Sequence, residues 1–467
     1  MKPSVVLVAN PPTRLFSVNY PLGIGYIAAV LKQHNYNVRI LDFSNNICSI
    51  NRSVKEISKA GPDFIGFSVF SYNYNLVKKM INLLKIAVPN AKIIIGGPHV
   101  SALPGESLED MGADFSIVGE AEYVMPEIIK RIVSGINSFD DMGGVAFWKN
   151  NVPVINSGCN IVDNLNDLPF PAWGLLSPVE YEDVAALTFF KDKPIGPILT
   201  SRGCPHRCSF CASYIVHGRG VRERCAKNIV DEIESLVKFY KVKEINFYDD
   251  TFSENINHAL EFCREIKDRK LKISWRTAVG MRLNTLNEEL LDAFEETGCY
   301  LLGFGVESIV DSVLKGAKKP LLKSINKRIR MIKQRNIFTM GYFIIGLPDD
   351  TEDSIKRTIE FARKSEIDFL SFTYAVPLPG TDIFKQKYKA VHLNKTNWDN
   401  FNFFTKSPFT LSKVPVLKLK YFLLSAYCSS YFSPRRMMVF LTTLFKFKRV
   451  RVAKMIRIIH FIIKNLF

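Results

Sequence analysis

A chain of 467 residues, 47% hydrophobic and 23% charged, has core enough for two or three domains and is neither disordered nor fibrous. Its formal net charge of +17 is unevenly placed: residues 400–467 hold 13 Lys or Arg and no Asp or Glu, leaving +4 for everything before them. No run of about 18 uncharged apolar residues offers a membrane span. The N-terminus lacks the order of a signal peptide, and nine cysteines without an export signal fit a reducing compartment, so the expected location is cytoplasmic.

From the N-terminus, VVLVAN (5–10), VRILDF (38–43), DFIGFSVFS (63–71), KIIIGG (92–97) and DFSIVG (114–119) are short apolar runs ending in small or turn residues. Stretches of helical length, such as GIGYIAAVLKQH and YNLVKKMINLLKIA, separate them. That alternation predicts an α/β domain over residues 1–139, a Rossmann-like (flavodoxin-like) parallel sheet with helices on both faces. Such sheets bind ligands at the carboxyl ends of their strands. Asn10, Pro11, Pro12, Ser68, Gly96, Gly97, Pro98, His99, Gly119 and Glu120 fall there. Residues 140–190 read as a hairpin around Asn150-Asn151 followed by a polar, proline-bearing connector, NLNDLPFPAW, with the domain boundary here.

Beyond it, PILTSRG, EINFYDD, ISWRTAVG, YLLGFGVES, FTMGYFIIG and FLSFTYAVP read as strands separated by helical patterns. Six such units predict a partial, TIM-like (β/α)6 barrel over 191–390, with its chemistry at the strand C-termini. RGCPHRCSFCA (202–212) follows the first strand directly and puts Cys204, Cys208 and Cys211 in a top loop. Zinc sites usually draw on two separated pairs of ligands; here the fourth would have to be His206 or His217. Iron–sulfur chemistry suits the spacing better, because four thiolates saturate a cubane and three leave one iron open. Cys48, Cys159, Cys225, Cys263, Cys299 and Cys428 stand alone and read as small buried apolar residues.

C-x3-C-x2-C with Phe210 before the last cysteine resembles the radical S-adenosylmethionine (SAM) superfamily. The resemblance implies a [4Fe-4S] cluster whose open iron chelates the methionine end of SAM, and whose electron cleaves SAM to a 5′-deoxyadenosyl radical. YDDTFSEN (248–255), with Asp249 and Asp250, is similar to the acidic segment closing the second barrel strand. GFGVES (303–308) would bring Glu307 to the SAM ribose or amino group, and GYFIIGLPDDT (341–351) would set Ile344 and Gly346 beside the adenine. PLPGT (377–381), with Pro379, resembles the end of the sixth strand. Arg276 and Arg282, flanking the third strand, are candidates for the SAM carboxylate or the substrate.

The N-terminal sheet in turn resembles the cobalamin (B12)-binding domain of the B12-dependent subclass, through NPP (10–12), YPLGIGYIAAVL (20–31), GGPHVS (96–101) and IVGEAE (117–122). ANPPTRL occupies the place where many B12 proteins carry D-x-H-x-x-G, so no histidine there ligates cobalt. His99 reads as a hydrogen-bonding loop residue rather than a substitute ligand. The whole is similar to the group of B12-dependent radical SAM methyltransferases and anaerobic oxidative cyclases. That implies hydrogen abstraction followed by methyl transfer to carbon on a small-molecule or lipid-like intermediate, with flavodoxin or ferredoxin as electron donor. The same cofactors could serve a non-methylating cyclisation or rearrangement of a tetrapyrrole or lipid; a B12 carrier or sensor is the non-enzymatic rival. An RNA methylthiotransferase needs three further N-terminal cysteines, and only Cys48 precedes Cys159, so no nucleic acid is expected.

Residues 391–467 read as a basic, mainly helical extension. Near its end Arg451, Lys454, Arg457, His460 and Lys464 share one helical face. That face is solvated on a helix packed against the barrel or laid on an anionic membrane at its inner side, with nucleic acid the remaining reading because basic charge alone is unspecific.

Overall fold

The computed structural model describes residues 2–12, 20–43, 49–181, 190–388, 396–403 and 408–446. The chain forms two compact units: residues 1–185, 212–220 and 378–402 in the first, and 186–211, 221–377 and 403–467 in the second.

The first unit is built on β1 (Ser4–Val8), β2 (Asn37–Leu41), β3 (Phe64–Ser68), β4 (Lys92–Gly96), β5 (Phe115–Ile117), β6 (Val145–Lys149) and β7 (Val152–Ile155). Their order is β2-β1-β3-β4-β5-β6-β7, the first five mutually parallel, which is the flavodoxin-like order. Val5, Val6, Leu7 and Val8 are all essentially inaccessible, as a strand covered on both faces requires. Ile24, Ala28 and Leu31 of helix Leu22–Gln33 pack with Ile128 and Ile129 of helix Val124–Val133 over Val5, Leu7 and Ile94.

The hairpin is part of this sheet rather than a separate linker. β6 pairs antiparallel with β5, carrying the sheet past residue 139 to Ile155. Asn150 and Asn151 take φ of +52° and +61°, the left-handed pair a two-residue hairpin turn demands. The connector is not free either. Leu165, Leu168, Ala172 and Trp173 are buried, and the Ala172 amide donates to the Gly25 carbonyl at 3.0 Å. Its apolar residues outweigh its prolines and asparagines.

The second unit is a six-stranded, wholly parallel sheet. In chain order its strands are Ile195–Ile198, Glu244–Phe247, Ser274–Met281, Cys299–Glu307, Phe338–Ile345 and Phe369–Tyr374, and neighbours in sequence are neighbours in space. The first and sixth strands are edges, so the barrel is incomplete. An edge presents unpaired N–H and C=O groups that must be covered. Helix Val416–Tyr431 does this for the sixth strand. The Tyr427 hydroxyl accepts from the Phe372 amide at 3.1 Å and donates to its carbonyl at 2.9 Å; Tyr431 does the same for Leu370 at 3.1 and 2.6 Å. Residues i and i+4 on the helix thus meet i and i+2 on the strand. Tyr427→Phe and Tyr431→Phe should each cost about 1–3 kcal/mol, because a buried backbone pair loses its partner. Denaturant midpoints check this, and unchanged midpoints would contradict it.

Part of the basic extension therefore packs on the barrel. Arg435 and Arg436, starting the helix Pro434–Lys446, donate to the carbonyls of Ala362, Arg363, Ser365 and Glu366 at the C-terminus of helix Glu352–Lys364. Cations belong there because the helix dipole is negative at that end. Residues 447–467, including Arg451, Lys454, Arg457, His460 and Lys464, lie outside the described residues. Among those described, no helix is long and apolar enough to cross a membrane.

Candidate active site

Cys204, Cys208 and Cys211 follow the first barrel strand as free, partly exposed thiols. Their loop is pinned on both sides. Asp250, beyond the second strand, accepts the Gly203 amide at 3.2 Å, and the Ser209 amide donates to the Ala317 carbonyl at 2.8 Å. Burial raises the thiol pKa of Cys204 and of Cys208; at Cys208 the Lys319 ammonium opposes it. His206 Nε2 lies 3.1 Å from Glu254 Oε2, an oxygen that is also 3.4 Å from Arg282 Nη1. His217 belongs to the first unit and meets Glu120 there, so each histidine named as a fourth zinc ligand is engaged by a carboxylate.

Among the described residues no three His, Cys, Asp or Glu side chains gather closely enough to hold one metal ion. A cubane spreads three thiolates over three irons and leaves the fourth open. The donor set, three thiols on one loop, fits an iron–sulfur cluster with an open iron.

Glu307 ends the fourth strand with φ +61°, at a register shift between Gly305 and Glu307. A left-handed backbone at a residue with a long side chain is strained, and such strain gathers at functional sites. Its Oε1 meets Lys319 Nζ at 3.0 Å. The pair is 10% and 17% exposed. Burial alone would lower the Lys319 pKa, but the Glu307 carboxylate and Cys208 together more than offset it and the ammonium is held above its ordinary value. Lys319 escaped the sequence reading because GAKKP (316–320) offers only two lysines after a short helix. Phe210 and Ile344 come together, partly buried, against Val313, Ala317, Leu347 and Ala375. Asp350, also missed, accepts the Gly346 and Leu347 amides at 3.0 Å each and the Ser354 hydroxyl at 2.6 Å, fixing the glycine turn after the fifth strand. Three thiols, a carboxylate–ammonium pair and an apolar wall thus share the barrel end where the strands terminate.

Two SAM candidates are corrected. Asp249 is 2% exposed, and its Oδ1 accepts the amides and hydroxyls of Thr200 and Ser201 at 2.5–3.0 Å. It braces the start of the cysteine loop. Arg276 is wholly buried near the start of the third strand, away from the strand C-termini. Its Nε donates to Asn246 at 3.1 Å and lies 3.7 Å from Glu244, and its guanidinium covers the Phe190 ring at 4.0 Å. A charge with no water needs such partners. Pro379 lies just past the sixth strand, in a segment grouped with the first unit. Among the isolated cysteines, Cys263 and Cys299 are buried as expected. Cys159, Cys225 and Cys428 are exposed, and Cys48 lies outside the described residues.

In the first unit Asn10, Pro12, Ser68, Gly96, Gly97 and Pro98 are partly exposed at the carboxyl ends of β1, β3 and β4, while Pro11 is buried. Gly97 has φ +94°, and a Cβ there would stand 3.0 Å from Ser68 Oγ and from the Val69 backbone. Gly119, φ +87°, would put one 2.3 Å from the Asn160 carbonyl oxygen. The turn of Gly96, Gly97 and Pro98 beside Ser68 is a cradle kept free of long side chains, which suits a large flat ligand.

His99 and Glu120 turn away from that role. His99 is 1% exposed, its Nδ1 2.9 Å from Ser71 Oγ and its ring 4.6 Å from those of both Tyr74 and Trp398. Burial pushes its pKa down to about 3, so it stays neutral. Glu120 is buried with Oε1 2.9 Å from His217 Nδ1 and Oε2 accepting the Val162 amide at 2.7 Å. Both frame the unit.

Residues 13–129 match the B12 binding domain family, and residues 198–362 match the radical SAM superfamily. The chain is a cobalamin-binding radical SAM protein. Its cofactors are accordingly cobalamin, a [4Fe-4S] cluster and SAM. It is 29% identical to an uncharacterized methyltransferase of Pyrococcus horikoshii, over 93% of this chain and 94% of that protein. It is 29% identical to the cytidylyl-2-hydroxyethylphosphonate methyltransferase of Streptomyces wedmorensis (82% and 81%). It is 26% identical to the anaerobic magnesium-protoporphyrin IX monomethyl ester cyclase of Rubrivivax gelatinosus (82% and 69%). Its fold is that of the cobalamin-dependent SAM radical enzyme OxsB, with TM-score 0.71 at 18% identity over 95% of this chain and 70% of that one.

Proposed function

We propose that this radical SAM protein is a C-methyltransferase acting on a small-molecule or lipid-like biosynthetic intermediate. When bound, the cluster supplies the electron that cleaves SAM, and cobalamin supplies a transferable methyl group. The observation that carries the reading is the Glu307–Lys319 pair in the same barrel end as the cysteine loop. Cys204, Cys208 and Cys211 hold the cluster. Glu307, oriented by Lys319, accepts from the SAM amino group or ribose, and Phe210 and Ile344 offer the apolar wall an adenine stacks against. A flavodoxin- or ferredoxin-like protein delivers the electron. The methyltransferase names of the Pyrococcus and Streptomyces relatives support methyl transfer.

Two experiments test it. Gly305→Ala would place a Cβ 2.1 Å from Glu307 Oε1 and 3.0 Å from Lys319 Nζ, pushing the pair aside at little cost to folding. SAM affinity of the reconstituted protein should fall about tenfold, ~1.4 kcal/mol, with the melting temperature nearly unchanged. Unaltered affinity would remove Glu307 from the SAM site. Methyl-labelled SAM should give labelled product on carbon. A product lacking the label would instead favour the cyclase-like reaction that the Rubrivivax relative performs by its name.

A further inference from the structure

Helix Val416–Tyr431 carries apolar residues on both its buried and its exposed sides. Leu419, Phe422, Leu423 and Tyr427 are buried on the side that braces the sixth strand. On the other side Leu417, Tyr421 and Cys428 recur at i, i+4 and i+11, with Phe432 just past the helix, so they form one stripe. Leu417, Tyr421 and Phe432 are 79%, 65% and 76% exposed. The following helix exposes Met437, Met438 and Leu441 in addition. Exposed apolar residues grouped this way mark an interaction surface. Lys418 and Lys420, the only Lys or Arg in the helix, stand beside Leu417 and Tyr421. No acidic residue occurs from 400 onward.

We propose that this outward face seats on an anionic lipid surface. Leu417, Tyr421 and Phe432 enter the headgroup layer, while Lys420, together with Lys418 (which also reaches Glu352), meets lipid phosphates. Charge selects this occupant over its rivals. A second copy docked across a two-fold axis would set lysine against lysine. Residues 447–467 carry six Lys or Arg and no acid, so folding them over this face would do the same. The inference goes beyond the reaction proposed for the barrel and does not depend on it.

The test is co-sedimentation of the full-length protein with phosphatidylglycerol-containing vesicles, against phosphatidylcholine vesicles as control. Binding should be confined to the anionic vesicles and weaken at high salt. A Leu417→Ser, Tyr421→Ser, Phe432→Ser variant should bind at least about tenfold more weakly, with its melting temperature and 5′-deoxyadenosine formation unchanged. Lys420→Glu should weaken binding in the same direction. Full-length protein that stays in the supernatant overturns the proposal, as does a triple-serine variant that sediments like the wild type. A wild-type dimer that the triple variant dissociates, with no lipid binding by either, assigns the face to a second copy and overturns it equally.

Discussion

Alanine at Cys204, Cys208 or Cys211 abolishes 5′-deoxyadenosine formation from SAM and leaves cobalamin binding intact. The expectation rests on the loop's construction. All three thiols come from one loop after the first barrel strand and are only partly buried, so their loss opens no core cavity. Gly203 and Ser209, which pin the loop to Asp250 and Ala317, do so through backbone amides that an alanine does not disturb. What is lost is one of three ligands in a set with no spare, and iron content should fall with it. Cobalamin binding belongs to the sheet of the first unit and should persist. SAM cleavage retained in all three variants would refute the cluster assignment. Loss of cobalamin from a cysteine variant would contradict the division of labour between the units.

Arg276→Leu should destabilise the protein by about 3–5 kcal/mol, the usual result of removing one partner from a buried ion pair. Glu244 would be left behind with no exposed surface. Its remaining partners are the Tyr300 hydroxyl at 2.6 Å and the Lys191 and Asp192 amides at 2.8 Å. Burial already raises the Glu244 carboxyl, with Arg276 opposing it; deleting the arginine raises it further. A folded-state pKa above the unfolded value, ~4.3, gives stability that is fullest below that value and lost as pH rises through the folded pKa. The variant's deficit against wild type should therefore be smaller at pH 5 than at pH 8. Glu244→Gln in the Arg276→Leu background should recover part of the loss at pH 8. A deficit below about 1 kcal/mol, or a stable variant that fails to bind SAM, would return Arg276 to the SAM site.

Much of this architecture could be read from residue order. The five N-terminal strands and the six barrel strands are short Val/Ile/Phe runs between stretches of helical length, and that signal is local. The Asn150-Asn151 turn was legible for the same reason. Its attachment to β5 was not, because antiparallel pairing across 30 residues leaves no periodic trace. The three cysteines, Phe210, Glu307, Ile344 and Gly346 entered as site candidates through spaced motifs and their resemblance. Lys319 and Asp350 were missed because their importance lies in a partner, Glu307 for one and the Gly346 turn for the other. Arg276, Asp249 and Glu120 misled in the opposite sense. A polar residue near a strand suggests a ligand contact, yet each of these satisfies a buried polar neighbour of its own chain.

Anaerobically reconstituted full-length protein, supplied with cobalamin, SAM and a strong reductant, is the most direct arbiter. About four irons per chain, bound cobalamin and accumulating 5′-deoxyadenosine are the expected result. Intact protein with the same iron and cobalamin content that leaves SAM uncleaved would contradict it and make the chain a cobalamin carrier or sensor.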